Sequence, residues 1–208
     1  MTQNFFNLNT ENDKKIIESF ENKKIIFLLK NLNYKLSYIT GSSKSGKSTL
    51  VNSFGKIHNA KIIVNSSDLK FSTNDKIYFI DQNISHFDSE LFFHFIQNIL
   101  THECFLYIFS EFDHNQQPTG LADLDSRLAL FNKFNLEEPS TDLMIILLRK
   151  YLEMYSISIN ESIILELPKF IDRTYLAVYN CANDINRLLY QNNHNINLRL
   201  IKKFYNAI

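Results

Sequence analysis

Apolar positions change their spacing at residue 139. Before it, short apolar runs alternate with helical periodicities. After it, only helical spacings occur. Residues 12–31 place Ile16, Ile17, Phe20, Ile25, Leu28 and Leu29 three and four apart, which predicts a helix. Residues 36–40 form a short strand that runs into a Gly- and Ser-rich turn, and residues 47–56 form a helix. Residues 60–64, with Ile62 and Ile63, read as a second strand, and residues 66–75 as a polar loop. Residues 76–81 are a third strand, continuous in apolar side chains as a strand buried on both faces should be. Residues 88–101 carry Leu91, Phe92, Phe95, Ile96 and Leu100 on one helical face. Residues 104–109 and 131–136 are the fourth and fifth strands. Strands alternating with helices predict an α/β fold with a parallel, doubly wound, five-stranded sheet.

Beyond Pro139 the pattern is wholly helical. Ser140 or Thr141 can cap a helix bearing Leu143, Ile146, Leu147, Tyr151 and Met154. Asn160 can cap a short second helix before Pro168, and residues 174–190 and 198–207 supply a third and fourth. The expected organisation is a flexible tail at residues 1–10, an α/β domain at 11–138 and a helical lid domain at 139–208. There are no internal repeats.

One segment carries defined chemistry. Gly41-Ser42-Ser43-Lys44-Ser45-Gly46-Lys47-Ser48-Thr49 fits G-x-x-x-x-G-K-[ST] at every position, between a strand and a helix. Gly41 and Gly46 allow the tight turn that brings backbone N–H groups against phosphate oxygens. Ser45 and Thr49 complete the cradle, Lys47 reaches the β- and γ-phosphates, and the Ser48 hydroxyl can ligate Mg²⁺. The following helix points its positive end at the anion. The chain has 4 glycines, and two of them stand at the required positions. The expected ligand is ATP or ADP with Mg²⁺; the alternative is a turn with a chance lysine. Asp81 ends a buried strand, where it can hold Mg²⁺ through the metal's water shell. The next residue is Gln82, whose amide cannot take a proton from an attacking water. Slow intrinsic hydrolysis is therefore expected; Glu90 or Glu111 could substitute, but neither stands at the expected place.

Composition narrows the partners. The 208 residues carry 22 Lys+Arg and 22 Asp+Glu, so formal net charge is zero. This argues against a strong nonspecific grip on nucleic acid, which needs many unopposed cations, although a local basic patch stays open. Cys104 and Cys181 lie in apolar segments without metal-ligand spacing and read as buried free thiols. No apolar run approaches membrane-spanning length and no secretory signal opens the chain, so a cytoplasmic location is expected.

The stretch Gly120-Leu121-Ala122-Asp123-Leu124-Asp125-Ser126-Arg127-Leu128 resembles the LPDLxSRL segment of DnaA-related AAA+ proteins. Leu136-Glu137-Glu138-Pro139, the helix with residues 147–150, and Asp172-Arg173-Thr174 opening another helix follow in the order that family shows. The resemblance covers essentially the whole chain and points in particular to the short Hda/HdaA regulators of the initiator DnaA. It implies a P-loop AAA+ sheet with a C-terminal helical lid. It also implies that Arg127 is an arginine finger acting on the nucleotide of a neighbouring subunit; the alternative is a surface ion pair or helix cap. Ser110, at the end of the fourth strand, falls where the family places a polar sensor of the γ-phosphate. Gln3, Phe6 and Leu8 resemble a degenerate peptide for the DNA polymerase III sliding clamp; the alternative is that the tail's apolar side chains fold back on the domain's own core. The implied partners are DnaA, the clamp and a second copy of the chain.

Some features depart from the family. Residues 65–75 are too short for the helical insertion of full initiators, and no DNA-binding domain is expected after the lid. Ala177 stands where relatives carry a nucleotide-sensing arginine, with Arg173 or Arg187 as possible substitutes. The expected function is regulation of replication initiation by promoting hydrolysis of DnaA-bound ATP. The alternatives are a DnaA-like adaptor with structural nucleotide, or a small P-loop nucleoside or nucleotide kinase.

Overall fold

The computed structural model describes residues 16–116, 119–191 and 197–205, which fall into two compact units divided between Glu137 and Glu138. The first unit is built on β1 (Leu36–Thr40), β2 (Lys61–Ile63), β3 (Ile77–Asp81), β4 (Phe105–Ser110) and β5 (Asn132–Asn135). All neighbouring strands are parallel, in the order β2-β3-β4-β1-β5. The helices of this unit are α1 (Lys23–Asn31), α2 (Lys47–Ile57), α3 (Ser89–Thr101) and α4 (Ala122–Leu128).

The sheet forms because its central strands are apolar on both faces. Tyr38, Ile39, Tyr78, Phe79, Ile80, Leu106, Tyr107 and Ile108 are all fully buried. Tyr38, Ile80 and Ile108 pack with Phe92, Phe95 and Ile96 of α3 and with Leu124 and Leu128 of α4. Ile39, Phe79 and Tyr107 pack on the other face with Ile25 and Leu29 of α1 and with Val51 and Phe54 of α2. Three buried tyrosines satisfy their hydroxyls on loop backbone: Tyr38 donates to the Phe112 carbonyl (3.0 Å), Tyr78 to Ser72 (2.8 Å) and Tyr107 to Tyr34 (2.8 Å). The first of these ties down the segment that follows β4.

Two elements differ from the sequence expectation. Of the helix expected over residues 12–31, only Lys23–Asn31 is helical among the described residues. The Asn22 side chain accepts from Ser19 N–H (2.9 Å) and donates to the Ile17 carbonyl (2.8 Å), which stabilises a turn before the helix instead of another helical turn. The arginine-bearing segment, read only as a motif, is the helix α4. Its N-terminal approach is fixed by Asp125 Oδ1, which accepts from both the Thr119 N–H (3.2 Å) and its hydroxyl (2.9 Å).

The second unit contains α5 (Thr141–Met154), α6 (Glu161–Glu166), α7 (Tyr175–Gln191) and α8 (Leu198–Tyr205). Ser140 caps α5 by accepting from Leu143 N–H, Asn160 caps α6 through Ser162 N–H, and the Thr174 hydroxyl accepts from Ala177 N–H at the start of α7. Met144, Leu148 and Leu152 of α5 pack with Val178, Cys181 and Ile185 of α7. Both cysteines are buried free thiols, and burial pushes Cys181 up to about 11. No helix among the described residues is long and apolar enough to cross a membrane.

The β1–α2 turn uses its two glycines for different reasons. A Cβ on Gly41 would stand 2.8 Å from Ser45 Oγ and 2.9 Å from Leu136 Cβ. A Cβ on Gly46 would meet nothing within 4 Å, but that residue has a φ of +93°. Gly41→Ala should therefore destabilise through overpacking, by about 1–3 kcal/mol. Gly46→Ala should do so through left-handed backbone strain, by about 1–2 kcal/mol. Urea unfolding of double-mutant cycles with Leu136→Gly, which removes both the Cβ and the Cδ1 that the new methyl would meet, separates the two: coupling is expected for Gly41 and none for Gly46.

Candidate functional site

The site is assembled at one edge of the sheet. Parallel strands put all their C-terminal ends on the same side, and β4 lies between β1 and β3. Thr40 of β1 is level with Ser110 of β4, and Asp81 of β3 is level with Phe109. The turn over residues 41–46 leaves β1 at this edge, and its first N–H, on Gly41, donates to the Ser110 carbonyl (3.2 Å).

Within the turn, Ser45 N–H donates to the Ser42 carbonyl (3.2 Å), and Lys44 takes a left-handed φ of +66°. Gly46 caps α2, whose first bond runs from Leu50 N–H to the Gly46 carbonyl (3.0 Å). Lys47 folds back over the loop and donates to the carbonyls of Gly41 (2.6 Å) and Ser42 (2.9 Å). Burial lowers its pKa, while the carboxylates of Glu111 and then Asp81 work in the opposite direction. The hydroxyls of Ser42 and Ser45 are buried without a hydrogen-bond partner. A buried hydroxyl left unpaired is costly, so two in one loop favour a polar ligand there.

Ser48 is exposed at the start of α2, Thr49 is half-buried one residue on, and Asp81 is half-buried at the end of β3. Among the described residues no three His, Cys, Asp or Glu side chains cluster to hold a metal by themselves. A Mg²⁺ ion that takes most of its ligands from phosphates and water needs no such cluster, and one hydroxyl and one carboxylate fit that requirement.

Three polar groups beyond the motif meet at this edge. Asn83 Oδ1 accepts from the Ser110 hydroxyl (2.8 Å) and from Glu111 N–H (2.8 Å). The single proton of Ser110 is thus committed to Asn83, and its oxygen accepts from Phe112 N–H (3.3 Å). Gln82 turns its carbonyl oxygen onto Asn83 N–H (3.0 Å). No local pattern marks Asn83, because its partners lie 27 and 28 residues away.

Arg127 sits in the last turn of α4, half-buried, with its Nε buried and unpartnered. None of the salt bridges among the described residues includes it, and Asp125 on the same helix is bonded to Thr119. In the helical unit, Ala177 lies in the first turn of α7 and Arg187 pairs with Asp184 at 3.8 Å. Gln3, Phe6 and Leu8 lie outside the described residues.

Solved structures share this fold. Domain III of the replication initiation protein DnaA from Thermotoga maritima matches with a TM-score of 0.71 at 15% identity, over 93% of this chain and 95% of that one. AMPPCP-bound DnaA from Aquifex aeolicus matches at 0.64 and 13%, over 86% of this chain and 64% of that one. The RuvB Holliday junction branch migration motor of Thermotoga maritima matches at 0.64 and 14%, over 92% and 70%. No protein-family model and no curated protein matches the sequence. The five-stranded parallel sheet with its flanking helices is a fold shared with domain III of DnaA and with RuvB.

Proposed function

We propose that this protein binds ATP or ADP with Mg²⁺ at the 41–49 loop and regulates replication initiation by promoting hydrolysis of ATP held by DnaA. The observation that carries the nucleotide reading is the pair of buried, unpartnered hydroxyls of Ser42 and Ser45 inside a loop closed by Lys47. Gly41, Ser45, Gly46, Lys47, Ser48 and Thr49 would surround the phosphates, and Ser48 with Asp81 would hold Mg²⁺. The metal would draw charge from the phosphate oxygens. Lys47 would exchange its two carbonyl partners for phosphate oxygens. Ser110 would serve from the strand end through the contact it makes with Asn83.

The regulatory reading rests on Arg127 in a DnaA-like fold. Its guanidinium lacks an ion-pair partner among the described residues, although Asp123 stands at the i,i+4 spacing before it. Placed against the ATP site of a DnaA subunit, it would stabilise charge on the transferring phosphoryl oxygens. The tail residues Gln3, Phe6 and Leu8 would dock on the sliding clamp and so bring Arg127 to DnaA at the replisome.

Two measurements test this. In unfolding assays, ATP or ADP at 100 times its dissociation constant should stabilise the wild type by about 2.7 kcal/mol, and Lys47→Ala should remove the effect. In single-turnover hydrolysis of DnaA-bound ATP with clamp loaded on DNA, the wild type should accelerate turnover. Arg127→Ala should lose about 1,000-fold or more of that acceleration while still binding nucleotide and clamp. Equal acceleration by both proteins would sink the finger role, and none by either would leave only a nucleotide-binding adaptor.

A further inference from the structure

No acid follows Asp81 to activate a water molecule, because the next residue is Gln82. Its carbonyl oxygen is held by Asn83 N–H, and the rest of its head group is an NH₂ that can only donate. The neighbouring strand supplies an alternative. Glu111 is the first residue past the end of β4, the strand flanked on one side by Asp81 and on the other by the strand that enters the phosphate loop.

Its backbone is anchored on both sides of that gap. Gly41 N–H donates to the carbonyl of Ser110, and Glu111 N–H donates to Asn83 Oδ1 at 2.8 Å. A backbone N–H can only donate, so Asn83 must turn its oxygen toward it, and the Ser110 hydroxyl bonds to the same oxygen. The orientation of Asn83 is thereby fixed by bonds, not left to choice. The Glu111 side chain is exposed and enters no salt bridge among the described residues. Burial lowers the Lys47 pKa, and the Glu111 carboxylate works in the opposite direction.

We infer that Glu111 supplies from β4 the proton acceptor that β3 lacks at Gln82, and that Asn83 is the positioning residue that holds it beside the phosphate loop. The inference rests on the nucleotide reading above. In the step it serves, the oxygen of a water molecule forms a bond to the γ-phosphorus. The bond from that phosphorus to the β–γ bridging oxygen breaks, and ADP leaves with the bonding pair. The water's proton passes to the Glu111 carboxylate and then to solvent. Gln82 alone implies a slow site; Glu111 makes the site competent for turnover.

The test combines single-turnover ATP hydrolysis by the full chain with fluorescent-nucleotide titrations. Glu111→Gln should lower the hydrolysis rate about 100-fold, the scale of a lost general base. It should still bind both nucleotides and shift its preference from ADP toward ATP, because a negative charge beside the γ-phosphate is gone. Moving the acid back in Gln82→Glu/Glu111→Gln should recover part of the rate. Asn83→Ala should slow hydrolysis, and Asn83→Asp, which keeps the acceptor for Glu111 N–H, should restore it. Wild-type protein that binds ATP without hydrolysing it, or Glu111→Gln hydrolysing at the wild-type rate, overturns this inference alone. Wild-type protein that binds neither nucleotide overturns the nucleotide reading, and this one with it.

Discussion

The hydrogen bond from Gly41 N–H to the Ser110 carbonyl joins the 41–49 loop to the middle of the sheet. Everything at the site is placed relative to it. Because β4 is central, one strand end fixes the start of the loop on one side and faces Asp81 on the other. Because the sheet is parallel, no strand carries its own chemistry away to the opposite edge. The bond also explains why Gly41 is confined: the residue is drawn toward β4 while Leu136, just past β5, packs against its open side, and only a missing Cβ leaves room. The buried residues of the central strands hold this edge in position, so the site inherits the rigidity of the core.

What could be read in the sequence was what local pattern encodes. Strand β3 and helix α2 emerge from apolar spacing, and the 41–49 loop from a motif whose glycines have separate steric and dihedral reasons. Apolar spacing continues before residue 22 and so predicts a longer helix than α1, while the turn there is decided by one asparagine side chain bonding in both directions. Helix α4 has no readable periodicity, because it is seven residues long with only Leu124 and Leu128 buried. The Asn83–Ser110–Glu111 junction had no local signal at all. It depends on the register between β3 and β4, which sets which residues of two distant segments stand level. Ser110 could be picked out by its place at a strand end, but not the fact that Asn83 takes its proton.

Charge placement gives a second constraint. A chain with equal numbers of acids and bases can pair most of its exposed cations, and several are paired here. Lys133 meets Asp113 at 3.1 Å, Lys30 meets Glu18 at 2.7 Å and Arg149 meets Glu161. Such exposed pairs contribute little to stability, so their value as evidence lies in showing what an ordinary surface cation does in this protein. Arg127 does something else. Asp123 lies four residues before it, the spacing at which a helix offers a partner, yet the two form no salt bridge among the described residues. Asp125 faces Thr119 instead and organises the turn that precedes the helix. The Nε of Arg127 is buried and without a hydrogen-bond partner among the described residues. A planar, permanently charged donor without an ion-pair partner among the described residues is suited to an anion with several oxygens.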